Sequence, residues 1–267
     1  MSYQTLNVEQ QGLALCVTLN RPNARNAMSL QMVEELQQVF ADLEQSTTIR
    51  ALVLRGAEHN FCAGGDIKDM AGARAQAKNT EGDNPYYQLN RAFGHMITRA
   101  NHLPQVVICV LEGAVLGGGF GLACVSDVAI THENALFGLP ETSLGVVPAQ
   151  IAPFVVDRIG LTQARRLALL GERFNGVTAE KLGIAHYLCG SEEALETQLN
   201  RVLEQIKKCA PNANRTTKAL LHRVGKEPME SLLDDAAMDF ANAVASEEGA
   251  EGTMAFVQKR APAWSDI

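Results

Sequence analysis

Leu111 to Pro148 reads LEGAVLGGGFGLACVSDVAITHENALFGLPETSLGVVP, and the order of residue types in it sets the architecture. The apolar run Val106 to Leu111 just before it predicts a buried strand. The triple glycine Gly117, Gly118, Gly119 then leads into Phe120 to Val125, which predicts a helix. The first amides of a helix have no internal acceptor and lie at the positive end of its dipole, so such a turn can hold an anion or a developing oxyanion. Farther on, Glu141 is the lone carboxylate of a stretch that stays otherwise uncharged to Val156. It reads as an acid/base group facing the glycine turn, or, more plainly, as a surface or helix-capping carboxylate. Apolar flanks favour the first reading, because burial raises a carboxylate pKa and poises it for proton transfer.

Moving toward the N-terminus, Leu13 to Leu19 predicts a strand that ends in the turn Asn20-Arg21-Pro22-Asn23. Ser29 caps a predicted helix whose apolar face is Leu30, Val33, Leu36, Phe40 and Leu43. Ala51 to Leu54 predicts the next strand, and strand, helix, strand is the crossover unit of a parallel sheet. A second glycine turn, Phe61-Cys62-Ala63-Gly64-Gly65-Asp66-Ile67, follows that strand. Gly72 to Pro85 reads as a loop, and helical spacing resumes over Tyr86 to Ala100.

Beyond the central stretch, Val128 to Thr131 and Ala135 to Phe137 read as short strands, and Gly160 separates two helices, Ile151 to Ile159 and Leu161 to Leu170. Charged helical segments take over at Glu192 to Lys208, Pro211 to Leu221 and Glu230 to Ser246. This change places a core over residues 1–200 and a helical part over 201–267. No repeat of fixed period stands out.

Composition narrows the function classes. A formal charge of −7 argues against nucleic acid or an anionic membrane as partner, since Lys and Arg dominate such binding. The first thirty residues lack a signal or transit pattern, and no uncharged stretch is long enough and free of proline to span a membrane. Six cysteines without paired spacing suggest a reducing compartment and no metal cluster, and the six histidines show no ligand spacing either. A cytoplasmic location is expected. No G-x-S-x-G is present, and GGGFG is not a dinucleotide fingerprint.

Two glycine turns can point two amides at one carbonyl oxygen and so stabilise an enolate if that carbonyl belongs to a thioester; the best-placed donors are Gly65 and Gly118. Taken alone, either turn is more often only structural or an accommodation of close packing.

Leu19-Asn20-Arg21-Pro22 with Asn26-Ala27, FCAGGDIKDM from Phe61, GAVLGGGFGLA from Gly113, FGLPET from Phe137, and the terminal Phe256, Lys259, Arg260 and Pro262 together resemble the enoyl-CoA hydratase/isomerase (crotonase) superfamily over essentially the whole chain. The resemblance implies an α/β fold, a crotonase (ClpP-like) spiral of repeated ββα units with a helical C-terminal region that joins copies into a trimer or a dimer of trimers. It implies an acyl-CoA thioester as substrate, with no separate cofactor, and the thioester oxygen between the amides of Gly65 and Gly118. Arg25, Ala27, Ala63, Asp66 and Ile67 match the positions that contact the CoA moiety, and Lys259 matches a phosphate contact across a subunit boundary.

The two-glutamate hydratases of this family place one glutamate two residues after the triple glycine, where this chain has Gly121; only Glu141 remains. A single glutamate can serve hydration through one water, and it is also the pattern of the enoyl-CoA isomerases. GGGFGLACVSDVAI with FGLPETSLGVVPAQIAPFV resembles, more narrowly, the branched glutaconyl-CoA hydratases, which also carry that glycine. This implies water addition to a 3-branched glutaconyl-CoA, with an isohexenyl branch as in acyclic-terpene breakdown or a methyl branch as in leucine breakdown. Gln150 reads as a polar contact in the substrate pocket, or as a structural helix-start residue. A non-catalytic acyl-CoA-binding or RNA-binding member of the fold is the rival from another class; Glu141 and the acidic charge argue against it.

Overall fold

The computed structural model describes residues 3–77 and 84–265. Strands β1 (Leu6–Gln11) and β2 (Ala14–Leu19) form an antiparallel hairpin. Helix α1 (Leu30–Gln45) then carries the chain to β3 (Ala51–Gly56), parallel to β2. The Ser29 hydroxyl accepts from the Met32 amide at 3.2 Å and caps α1 as predicted. Val33, Leu36, Phe40 and Leu43 are buried with Met32 and Val39, but Leu30 is exposed. In this first turn the Leu30 amide donates to Asp69 at 2.7 Å.

Helix α2 (Ile67–Ala77) runs into the stretch predicted as a loop, and α3 (Pro85–His102) begins at its last residue; 78–83 lie outside the described residues. Proline is harmless at the start of a helix because the missing N–H has no partner there, and Asn84 caps α3 by accepting from Tyr86 and Tyr87. The predicted strand β4 (Val106–Leu111) is followed by β5 (Ala114–Leu116) and α4 (Gly118–Val125), then by β6 (Val128–His132) and β7 (Leu136–Gly138). Helix α4 starts two residues earlier than predicted, inside the triple glycine.

Helix α5 (Ala152–Leu170) is broken at Gly160, which has φ 74°. Then come β8 (Arg173–Asn175), α6 (Gly176–Lys181), β9 (Tyr187–Cys189) and the helices α7 (Glu192–Lys208), α8 (Pro211–Arg223), α9 (Met229–Ala245) and α10 (Glu247–Gln258). The sequence reading missed α10. Its two interior glycines hide a helix that Ser246 caps through the Gly249 amide.

The main sheet has the order β1-β2-β3-β4-β6-β9, parallel from β2 onward, and β5-β7-β8 form a smaller sheet. An isolated bridge joins Cys62 to Val115 of β5. The chain therefore winds as a spiral: a main-sheet strand, a short piece of the second sheet, a helix. The winds are β3, Cys62, α2; then β4, β5, α4; then β6, β7 and the helical turn Glu141–Leu144. Gly64 and Gly65, Gly117 and Gly118, and Glu141 follow the second-sheet piece in successive winds. The inserted α3 and the missing third helix make the winds unequal, which explains why no fixed repeat shows in the sequence.

Alternation in the strands serves both faces of the main sheet. Leu52, Leu54, Cys109 and Leu111 pack with α1, Ile97 and Phe120, whereas Ala51, Val53, Ile108 and Val110 meet Leu195, Leu199, Val202 and Ile206 of α7. Each such buried aliphatic side chain contributes roughly 1.5–3 kcal/mol. Helix α7 runs unbroken through residue 200 while covering the sheet, and α8 is tied down by Lys218, which donates to Asp127 at 2.6 Å.

Candidate active site

Parallel pairing fixes the first glycine turn. The amide of Met28 donates to the Gly64 carbonyl at 2.8 Å, and that of Asp66 donates to the Met28 carbonyl at 3.0 Å. This register leaves the Gly65 N–H facing away from Met28, without an acceptor among the described residues. The second turn lies alongside it: Cys62 N–H donates to the Ala114 carbonyl and Leu116 N–H to the Cys62 carbonyl, at 2.7 and 2.9 Å. Gly64 has φ 103° and Gly117 has φ 50°, conformations that side chains other than glycine rarely adopt. The first residue of α4, Gly118, has no earlier helical carbonyl to bond, so its N–H is likewise unpartnered among the described residues.

Close packing explains the other glycines. A Cβ on Gly119 would lie 2.7 Å from that of Cys62, and one on Gly121 would lie 2.4 Å from Ile151 Cγ2 and 2.9 Å from Ile97 Cδ1. The position of the first family glutamate is thus filled by two isoleucines. Above Gly118 the Phe93 ring would approach a Cβ to 3.1 Å.

Glu141 enters from the third wind. Its Oε1 lies 3.0 Å from where a Gly117 Cβ would be, and its buried Oε2 has no hydrogen-bond partner among the described residues. Burial raises its pKa above the ordinary carboxylate range, opposed only by a hydrogen bond to its own backbone. A carboxylate that is poorly solvated and has no charged partner among the described residues is in the electrostatic state of a proton shuttle.

The remaining predicted residues divide. Arg25 and Ala27 border the first turn, with Ala63 N–H donating to the Arg25 carbonyl at 3.0 Å. Asp66 is engaged by Arg21 at 2.6 Å. Burial pushes the Asp66 carboxyl up, but the Arg21 hydrogen bond, the Lys68 amide and the Arg21 charge outweigh this and hold it below its usual range. Ile67 is exposed beside it. Lys259 sits apart, in left-handed conformation at the end of α10, and no hydrogen bond links it to the glycine turns. Gln150 accepts from Arg91 at 2.6 Å and donates to Asn90 at 2.7 Å.

Arg91, Phe93, Ile97 and Ile151 were missed by sequence reasoning. Phe93 and Ile97, four apart on α3, share a face whose role is legible only once α4 is known to lie against it, while Ile151 comes from the start of α5 and Arg91 from another side of α3. The fold also gathers His59, Glu112 and Glu192, whose ligand atoms lie within 4.8 Å of one another although their sequence spacing gave no hint. Arg55 already brings positive charge there, pairing with Glu196 at 2.6 Å and Glu112 at 4.0 Å.

Residues 9–267 match the enoyl-CoA hydratase/isomerase family. The chain belongs to this family and has the crotonase fold with a helical C-terminal region. An enoyl-CoA hydratase/isomerase from Marinobacter aquaeolei is 63% identical, with TM-score 0.95, over 98% of this chain and 99% of that one. AtuE of Pseudomonas aeruginosa is 58% identical, also at 0.95, over 98% and 100%. A probable enoyl-CoA hydratase, echA8 of Mycobacterium bovis, is 32% identical over 98% of each chain. No helix among the described residues is long and apolar enough to cross a membrane.

Proposed function

We propose that this protein adds water to the 2,3-double bond of a 3-branched glutaconyl-CoA, with isohexenylglutaconyl-CoA of acyclic terpene (citronellol/geraniol) degradation as substrate. The observation that carries the reading is the pairing of a half-buried Glu141, whose Oε2 is buried without a partner among the described residues, with a Gly121 closed off by Ile97 and Ile151. One carboxylate then does the work of two. Glu141 takes a proton from water as its oxygen bonds to the β-carbon, and the π electrons move to the thioester oxygen as an enolate. The amides of Gly65 and Gly118 hold that oxygen, and protonated Glu141 returns the proton to the α-carbon. Each such donor contributes about 2.7–4 kcal/mol to lowering a barrier. The reaction asks for no metal or redox group.

The CoA moiety lies along Arg25, Ala27, Ala63, Asp66 and Ile67. Lys259 reaches its phosphates from a neighbouring copy, which fits a residue that the single chain leaves apart. Exposed apolar side chains on α8 to α10, among them Leu221, Leu233, Phe240 and Phe256, suit residues 201–267 to an oligomerisation role in a cytoplasmic trimer or hexamer.

A single glutamate also serves a 3-enoyl to 2-enoyl isomerase, and a methyl branch would move the protein to leucine breakdown. The deciding experiment offers isohexenylglutaconyl-CoA, 3-methylglutaconyl-CoA and crotonyl-CoA and identifies products by mass. Each methylene of a fully enclosed tail contributes about 0.8 kcal/mol. A product heavier by one water, with the long branch preferred about tenfold or more in kcat/KM, is the expected result. Double-bond migration without mass change overturns it.

A further inference from the structure

We infer that Arg91 of α3, held in place by Gln150, binds the free carboxylate of the substrate's branch; this rests on the glutaconyl reading above.

Arg99, on the same helix, meets Glu44 at 2.7 Å. Arg91, half-buried, has no carboxylate partner among the described residues. It donates to the neutral Gln150 amide at 2.6 Å and lies 3.4 Å from a His95 ring nitrogen. Gln150 is in turn oriented by Asn90, so the amide presents its oxygen to Arg91 and fixes the guanidinium. Gly94 makes the arrangement sterically feasible, since a Cβ there would lie 2.0 Å from Gln150 Oε1 and 2.5 Å from Arg91 Nη1.

The site's elements run directly to this cation. Ile151, next to Gln150, closes Gly121, and Phe93, two residues from Arg91, covers Gly118. Ile97, the other residue against Gly121, lies about 9 Å from Arg91 along the helix axis at 1.5 Å per residue. An arginine side chain and a carboxymethyl branch together span that separation. A carboxylate at this position is matched by a charged donor, and a guanidinium with spare N–H groups is the best-matched one. Gln150 is then a positioning residue, and the substrate's acid group meets Arg91 rather than Gln150.

The test compares 3-methylglutaconyl-CoA with 3-methylcrotonyl-CoA, its counterpart lacking the distal carboxylate, by titration calorimetry and kcat/KM. The unaltered protein should favour the acid by about tenfold or more, the size of one charge-assisted hydrogen bond. Arg91→Met should erase that preference while leaving affinity for 3-methylcrotonyl-CoA within about twofold, a factor well under 1 kcal/mol. Arg91→Lys should keep part of it, and Gln150→Leu should weaken it through KM rather than kcat. If the unaltered protein binds both thioesters equally, the glutaconyl reading falls. If it favours the acid and Arg91→Met does so equally, that reading stands and the role of Arg91 falls.

Discussion

The two glycine turns look alike in the sequence and are held by different forces. Gly64-Gly65 is an open loop fastened at its edges by the Met28 pairing and by the Arg21–Asp66 ion pair, and nothing lies within 4 Å of a Cβ built on Gly65. Gly117 to Gly121 is a packed helix start, where Gly119 and Gly121 have Cys62 and Ile151 against their α-carbons. One turn is glycine-rich to leave a face accessible, the other to let elements touch. Glycine content alone does not distinguish the two roles.

The largest expected effect bears on the residue between the turns. On the proposed mechanism, Glu141→Gln should lower hydration turnover by about 10²–10⁴-fold in steady-state assays, because it would remove the general acid/base and leave both amides. The proposed hydration needs the ionised form, so the acid limb of the parent should lie above the ordinary carboxylate range. The same raised pKa predicts a stability change of opposite sense. A buried carboxyl that binds its proton more tightly when folded stabilises the fold below its unfolded pKa, and that contribution is lost as pH rises through the folded pKa. Glu141→Gln should therefore melt above the parent at neutral pH, and the gain should vanish under acid.

Next in size is the packed turn. Gly119→Ala should cost about 1–3 kcal/mol in denaturant unfolding, since Cys62 and its backbone cannot withdraw from the new methyl. Unchanged stability would remove the distinction between the turns. The fastening of the open turn is weaker: Asp66→Asn should cost roughly 1–2 kcal/mol at neutral pH. Because the Asp66 pKa is lowered, that difference is present above the unfolded carboxylate pKa and disappears as pH falls through the folded one. Smallest of all, Gly65→Ala should alter stability by no more than about 0.5 kcal/mol, measured by the same unfolding curves.

Much was legible from sequence because it depends on local rules. The Ser29 cap, the apolar run of β4, the break at Gly160 and the helices α7, α8 and α9 follow from periodicity and end signals. Local rules failed where neighbours decide. Leu30 has the right spacing for the core face and yet is exposed, and Gly72 to Ala77 reads as loop yet continues α2.

By itself the sequence determined the residue types the chemistry needs: two glycine turns after strands, one carboxylate in an apolar stretch, and a glycine where relatives carry a second. Only the tertiary structure decided their company. It set Glu141 against Gly117, filled the space beside Gly121 with Ile97 and Ile151, and brought Arg91 to Gln150 across nearly sixty positions, |i−j| being 59. The reason is physical. Turn formation and helix starts are governed by a few adjacent residues, whereas burial, steric closure and charge partnership depend on which winds of the spiral lie side by side, and unequal insertions hide that from any fixed spacing.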